Sequence, residues 1–442
     1  MNHVLHRSLL QDPVVAVSCE GAYIIDKNGK RYLDACGGAA VSNLGHNNPD
    51  IIAAIEKQLK TLAYAHSAFF TTDALEDMAD MLISLAPGMN RALFLSGGSE
   101  ANEAAFKLAR QYFVEAGKPD KTLFIAREQS YHGNTLGALA VGGNEWRKRD
   151  FLPLLKKGNH ISACYEYRLK KAGETSLEYG LRCANELEIK ILQLGPENVA
   201  AFIAETVVGA TTGAVPPVEG YFKRIREICD QYGVMLILDE VMCGVGRTGR
   251  MYAYENEGII PDMVTTAKGL GAGYQPIGAL LCQEYIVDVL RNGSGFFQHG
   301  HTYMGHACAA AGGLATLKYI IEHNLLQQVV ARGELLVNLL NQNLGDHPNV
   351  GDIRGRGLFL GIELVADRVT KAPFPAELKV NKLIKQTAMQ QGLLCYPMGG
   401  TLDGRLGDHI LLAPAFIITE DQVREIANIM TSVINAVTDN LN

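Results

Sequence analysis

The run Val234-Met235-Leu236-Ile237-Leu238-Asp239-Glu240 decides how the rest of the chain is read. Its five consecutive apolar residues, with no polar alternation, suit a strand buried on both faces, as parallel sheets require. That strand ends in an acid, and an unpaired buried carboxylate is costly. Further on, Thr265-Thr266-Ala267-Lys268-Gly269-Leu270-Gly271 sets a lysine among small residues after a second apolar stretch. A lysine and an aspartate at the ends of apolar strands suit a cofactor that needs an amine for its aldehyde and a carboxylate for its ring nitrogen. Pyridoxal phosphate is such a cofactor. The plainer alternative for Asp239 is an exposed strand-end acid or a salt bridge. Glu240 points the other way and is a candidate structural acid, while Val241 returns to the Asp239 face.

Outward from these two strands, helix and strand patterns alternate from about residue 50 to 325. Helical periodicity runs through 50–62, 73–85, 99–115, 219–232 and 306–323. Apolar strand patterns lie near 92–96, 122–126, 200–205, 234–239, 262–267 and 277–282. Together they predict an α/β domain with a largely parallel sheet. Before it, Ala22–Asp26 and Arg31–Asp34 flank an Asn28-Gly29 turn and read as a hairpin. After it, residues 330–442 read as a smaller α+β domain with Gly-rich turns at 355–361 and 399–407, against which the hairpin is expected to pack. The predicted division is 1–49, 50–328 and 329–442.

Bulk properties exclude several classes. The 442 residues are 48% hydrophobic and 20% charged, enough for two domains. A net charge of −7 offers no footprint for nucleic acid or an anionic membrane surface. The basic run Arg147-Lys148-Arg149 is short and reads as solvated loop. Nine cysteines without a Cys-x-x-Cys pair suit reduced thiols in the cytoplasm. Met1 to Ser18 lacks the sustained apolar region of a signal peptide, and no apolar stretch reaches membrane-spanning length.

Other segments carry candidate chemistry. Ser96-Gly97-Gly98-Ser99-Glu100-Ala101-Asn102-Glu103 follows a strand and opens a helix, so free N–H groups, two glycines and a hydroxyl could meet a phosphate. The same pattern fits an ordinary helix cap. Tyr131-His132-Gly133 follows another strand, where an aromatic ring could stack on a flat cofactor or simply complete a loop. Thr302 precedes a helix start near His306 and could reach a phosphate or serve as a helix-entry threonine. His299, His301 and His306 fit no strong zinc spacing, so no metal is expected. Gly244-Val245-Gly246-Arg247-Thr248-Gly249 matches a dinucleotide fingerprint literally, but a strand does not lead straight into it and a poor helix face follows.

Taken in order, these segments resemble the class III, or ω-, aminotransferases. The resemblance is carried by Ser96–Glu103, Tyr131–Gly133, Ala204-Glu205, Leu238–Val241, Gly246–Gly249, Ala267–Gly269 and His301–Tyr303. It extends to Leu44-Gly45-His46 early and to Arg354–Leu358 and Leu412–Pro414 late. It implies the fold-type I architecture of pyridoxal-phosphate enzymes and a homodimer, or a tetramer built from such dimers.

It also implies roles. Lys268 joins the cofactor aldehyde and shuttles a proton, and Asp239 pairs with the ring nitrogen. Gly98 and Ser99 hold the phosphate, joined by Thr302 from the neighbouring subunit. Tyr131, in the Tyr131-His132 pair, stacks on one ring face and Val241 covers the other, with Glu205 nearby. Relatives carry an arginine beside a late Gly-Asp segment that binds the 2-oxo acid carboxylate. Here Arg405 is separated from Gly407 by Leu406, so its register is shifted from subgroups with adjacent Arg and Gly. Ala39-Ala40 is small where several relatives carry a bulky aromatic, which hints at a roomier pocket. The expected reaction moves an amino group from an amine or ω-amino acid to a 2-oxo acid by ping-pong chemistry. A racemase or aminomutase on the same fold is the alternative, with a nicotinamide-dependent oxidoreductase resting on residues 244–249 more distant.

Overall fold

The computed structural model describes residues 3–10 and 12–441. Its centre is a seven-stranded sheet in the spatial order Arg91–Leu95, Gly278–Cys282, Met263–Thr266, Met235–Asp239, Val199–Glu205, Leu123–Arg127 and Asn159–Ile161. Gly278–Cys282 is antiparallel to both neighbours, and every other adjacent pair is parallel. The expected α/β class and mostly parallel sheet are therefore present. Every residue of Val199–Glu205, Met235–Asp239, Met263–Thr266 and Gly278–Cys282 is buried. This explains their unbroken apolar runs. Leu236, Ile237 and Leu238 lose all solvent contact, and each such side chain contributes roughly 1.5–3 kcal/mol.

The helices Pro49–Thr61, Asp73–Ser84, Gly98–Glu115, Tyr221–Tyr232 and Ala307–Glu322 stand where periodicity places them. Helix Ser176–Leu194 and the edge strand Asn159–Ile161 have no counterpart in the sequence reading. The strand is three residues long, too short to show a period. The helix opens on a Thr175/Glu178 capping box but carries Gly180, which weakens its helical signal. A Cβ at Gly180 would sit 2.5 Å from the Glu219 carbonyl oxygen, so the glycine lets this helix pack close to the 218–221 turn.

Two smaller sheets complete the fold. Val350–Arg356, Phe359–Leu364, Asp408–Leu412 and Tyr396–Gly399 form an antiparallel sheet. Ala16–Glu20, Tyr23–Asp26 and Arg31–Asp34 form the other with Leu393–Leu394, whose Leu393 pairs in parallel with Leu33. The N-terminal hairpin thus meets the C-terminal segment directly. No helix of the described residues is long and apolar enough to cross a membrane.

One expectation fails. Of Arg147-Lys148-Arg149, only Arg149 is solvated as expected. Glu145–Lys148 is a helical turn capped by Asn144, whose side chain accepts from the Arg147 N–H at 3.3 Å. Lys148 is buried and Arg147 half-buried. The long aliphatic stems of basic residues allow this, because they cover apolar surface while the charged head finds its own outlet.

Candidate active site

The register of three parallel strands builds the site. Glu205 lies opposite Asp239, and Asp239 opposite Thr265, at the carboxyl ends of adjacent strands. Crevices at such ends are where open α/β sheets bind ligands. Asp239 is only 4% exposed. Its Oδ1 accepts from the Val241 N–H at 3.0 Å, and its Oδ2 accepts from Asn102 Nδ2 at 2.9 Å. The Nδ1 of His132 lies 2.9 Å from the same Oδ2. Asn102 is fixed in turn by the Thr265 hydroxyl at 2.8 Å and also donates to the His132 carbonyl at 2.6 Å. Donors on three sides keep this buried carboxylate tolerable. Asn102 was missed as a site residue, although a buried amide three positions after Ser99 shares the face of that helix.

Lys268 follows the strand Met263–Thr266 after one residue and has a left-handed backbone, with φ of 49°. That is a conformation rarely adopted by side chains of this kind. Its Nζ donates to the Ala39 carbonyl at 3.2 Å. Burial lowers its pKa to about 8, Arg147 adds to the drop, and Asp239 and Glu205 oppose it. Glu205 accepts from the N–H groups of Tyr131 at 3.1 Å and Gly209 at 2.7 Å, and Arg127 donates to its carbonyl. Burial raises the Glu205 carboxyl above the ordinary range, with the Asp239 charge contributing.

The helix Gly98–Glu115 aims its N-terminus at the same place. A Cβ on Gly98 would lie 2.8 Å from a Val241 methyl, so only glycine lets Val241 close over that end. Ser99 Oγ accepts from the Asn134 N–H at 3.0 Å. A Cβ on Gly133, where φ is 138°, would lie 2.7 Å from that oxygen. A cavity of about 320 Å³ results, and Gly98, Ser99, Tyr131, His132, Glu205, Asp239, Val241 and Lys268 all line it, with Asn102. Two expected residues do not. Thr302 is exposed, and its carbonyl accepts from the Tyr64 hydroxyl at 2.8 Å. Arg405 is 77% exposed and stands 3.8 Å from Glu377.

Residues 6–434 match the family described as aminotransferase class-III. The chain belongs to the class III aminotransferases. An uncharacterized aminotransferase of Schizosaccharomyces pombe is 44% identical over 98% of this chain and 95% of its own. A gamma aminobutyrate transaminase of Solanum lycopersicum is 38% identical over 94% of this chain and 79% of its own. The omega transaminase of Pseudomonas jessenii, solved in complex with PMP, superposes with a TM-score of 0.90 at 35% identity, covering 97% of this chain and 93% of that one.

This class III aminotransferase therefore uses pyridoxal phosphate, and its cavity fits that group. The cavity offers a hydrogen-bonded carboxylate, a lysine amine of lowered pKa, and a helix N-terminus whose first N–H groups have no intrahelical acceptor. His132 Nε2 is buried without a protein partner. The match to transaminases supports amino transfer over a racemase or aminomutase. The nicotinamide reading of residues 244–249 falls as well. That segment is a series of buried turns, and Arg247 within it donates to the carbonyls of Leu358 and Pro414, tying it to C-terminal structure. Glu240 proves structural: it accepts from the Thr206 hydroxyl and the N–H groups of Ala253 and Tyr254.

Proposed function

We propose that this aminotransferase takes an amino group from a primary amine or ω-amino acid and delivers it to a 2-oxo acid of the pyruvate or 2-oxoglutarate type by ping-pong chemistry. The convergence of Asp239 and Lys268 on one cavity carries this reading. The tomato gamma aminobutyrate transaminase and the Pseudomonas jessenii omega transaminase support the donor class.

In this reading Lys268 binds the cofactor aldehyde and Asp239 the ring nitrogen. Gly98, Ser99 and the helix end hold the phosphate, Tyr131 and Val241 cover the two ring faces, and Glu205 and His132 fix the loop and the aspartate. Bound there, pyridoxal phosphate supplies an electron sink for the charge left when the donor C–H bond breaks. Lys268 Nζ, freed when the donor amine takes its place on the aldehyde, would remove that proton and return it, which needs the neutral amine that its lowered pKa makes accessible near pH 8. Arg405, the family-implied partner for the 2-oxo acid carboxylate, stands outside the cavity of a single chain and would reach it only if its loop turned inward.

The working unit in this proposal is a homodimer, with Thr302 completing the partner's phosphate site. Its exposure, together with that of Phe69, Phe70 and Tyr303, supports such a surface. The units 1–49, 50–328 and 329–442 are proposed as its domains, supported by the pairing of Leu33 with Leu393. Nine unpaired cysteines support a reducing, cytoplasmic setting.

The test is the visible spectrum of the cofactor-loaded protein, before and after amines and ω-amino acids are added without acceptor. Bleaching of the visible band with release of the matching carbonyl product supports the reading. A band that persists while donor chirality is lost points instead to racemase chemistry.

A further inference from the structure

Arg147 stands out among the arginines withdrawn from solvent. Arg168 and Arg354 meet Glu363, Arg226 meets Asp262, and Arg356 meets Glu257. Arg127 and Arg247 donate to backbone carbonyls. Among the described residues, the Arg147 guanidinium donates no hydrogen bond and faces no carboxylate, and its Nε is buried without a partner. A half-buried cation left so is costly, and such an arrangement is retained where an anion arrives from outside.

Its position says which anion. The guanidinium carbon lies over the Tyr131 ring, 4.5 Å from the centroid, and Tyr131 lines the cavity. Stacking engages the face of a guanidinium and leaves its rim of N–H donors free for a planar, bidentate acceptor. Its charge also reaches Lys268, since it contributes to the lowered pKa there. The turn that carries it is held by the Asn144 cap, and Asn144 donates to Gln129 at 2.8 Å. The neighbouring Trp146 packs on Gly404, where a Cβ would lie 3.1 Å from the Trp146 Cβ, so this turn abuts the loop of Arg405. Neither arginine is among the cavity-lining residues, but Arg147 rests on one of them, Tyr131, whereas Arg405 is exposed beside Glu377.

We propose that Arg147 is a specificity residue that receives the substrate carboxylate at the Tyr131 wall of the cavity. The proposal rests on the aminotransferase reading and narrows it to substrates that carry a carboxylate. That carboxylate comes from the ω-amino acid in one half-reaction and from the 2-oxo acid in the other, so the two are measured separately.

The experiment compares single-turnover kcat/KM in wild type, Arg147→Gln and Arg147→Lys holoenzyme. The donor arm pairs a homologous series of ω-amino acids with alkylamines of equal length. The acceptor arm pairs pyruvate with propanal. In Arg147→Gln the carboxylate-bearing partner should lose about 10- to 100-fold in at least one arm, the size of a lost charge-assisted pair, and its carboxylate-free match less than about threefold. Arg147→Lys should recover part of the loss, because it keeps the charge without the fork. The arm that responds identifies which carboxylate is bound. Equal losses for both partners would mean that Arg147 only braces Tyr131, and no loss would mean that it binds nothing; either result overturns the proposal. If Arg147→Gln fails to hold cofactor, the same comparison in Arg147→Lys decides: a selective rise in KM for carboxylates supports it and a uniform one overturns it. Wild type inert toward every donor would count against the aminotransferase reading, whereas active wild type with an unselective variant counts against Arg147 alone.

Discussion

Asp239 Oδ2 and His132 Nδ1 lie 2.9 Å apart, shielded from solvent, and this contact ties the strand Met235–Asp239 to the loop that presents Tyr131. Asp239 and the Tyr131 loop are thus positioned as one unit, with Asn102 bridging to both Asp239 and the His132 carbonyl.

Asp239→Asn should slow the donor half-reaction by about 10²–10³-fold, the scale of losing a charge-stabilising partner at the reacting group. His132→Ala should cost less, about 10-fold, because Asn102 and the Val241 N–H still hold the carboxylate. Single-turnover rates at saturating cofactor test the order. A larger loss in His132→Ala would contradict the roles assigned here.

Gly98→Ala should weaken cofactor binding by about 10- to 100-fold, because the new Cβ would lie 2.8 and 2.9 Å from the two Val241 methyls and drive that side chain into the cavity. Adding Val241→Ala should restore much of the affinity, since the two sites couple through direct contact. A cofactor titration of the single and double variants reads this out; simple additivity would refute it.

Lys268, with a pKa lowered to about 8 by burial, should give a distinctive pH profile in reconstitution of the apoprotein. Below that value the amine is protonated and cannot attack the aldehyde. The rate should therefore climb roughly tenfold per pH unit and level off above about pH 8. An unshifted lysine would keep climbing toward pH 10.5. Stopped-flow absorbance after adding pyridoxal phosphate distinguishes the two.

Glu363 is fully buried between Arg168 Nε and Arg354 Nη1, each at 2.7 Å, and joins the helical turn Glu166–Leu169 to the antiparallel sheet. Burial alone would raise its pKa, but the Arg354 and Arg168 charges hold it below the ordinary range. Glu363→Ala leaves Arg168 without its carboxylate, while Arg354 keeps Asp352 at 2.9 Å, and should lower stability by about 3–5 kcal/mol. Urea unfolding measures it, and a loss under about 1 kcal/mol would show that the network relaxes freely.

Much of this was legible in local pattern. The unbroken apolar run ending at Asp239 announced a doubly buried strand, and the small residues around Lys268 announced a tight turn after another. The Gly97-Gly98-Ser99 opening marked a helix end able to take an anion. Asn102 was not legible in this way, because a mid-helix asparagine carries no signal until its neighbours are known. Thr302 and Arg405 lie outside the cavity of a single chain, so their proposed roles depend on a second subunit and a loop movement.

Burial period, turn chemistry and helix ends are properties of adjacent residues, and the sequence alone determined them: the sheet class, the strand ends and the candidate pair Asp239 and Lys268. Which residues face one another is a property of register and packing between segments far apart in the chain. Only the tertiary structure set Glu205 beside Asp239, placed Asn102 and His132 on one carboxylate, and turned Arg147 from an apparent surface charge into a half-buried cation over Tyr131. No local periodicity encodes those contacts, because each is decided by how strands and helices from different parts of the chain fill the same space.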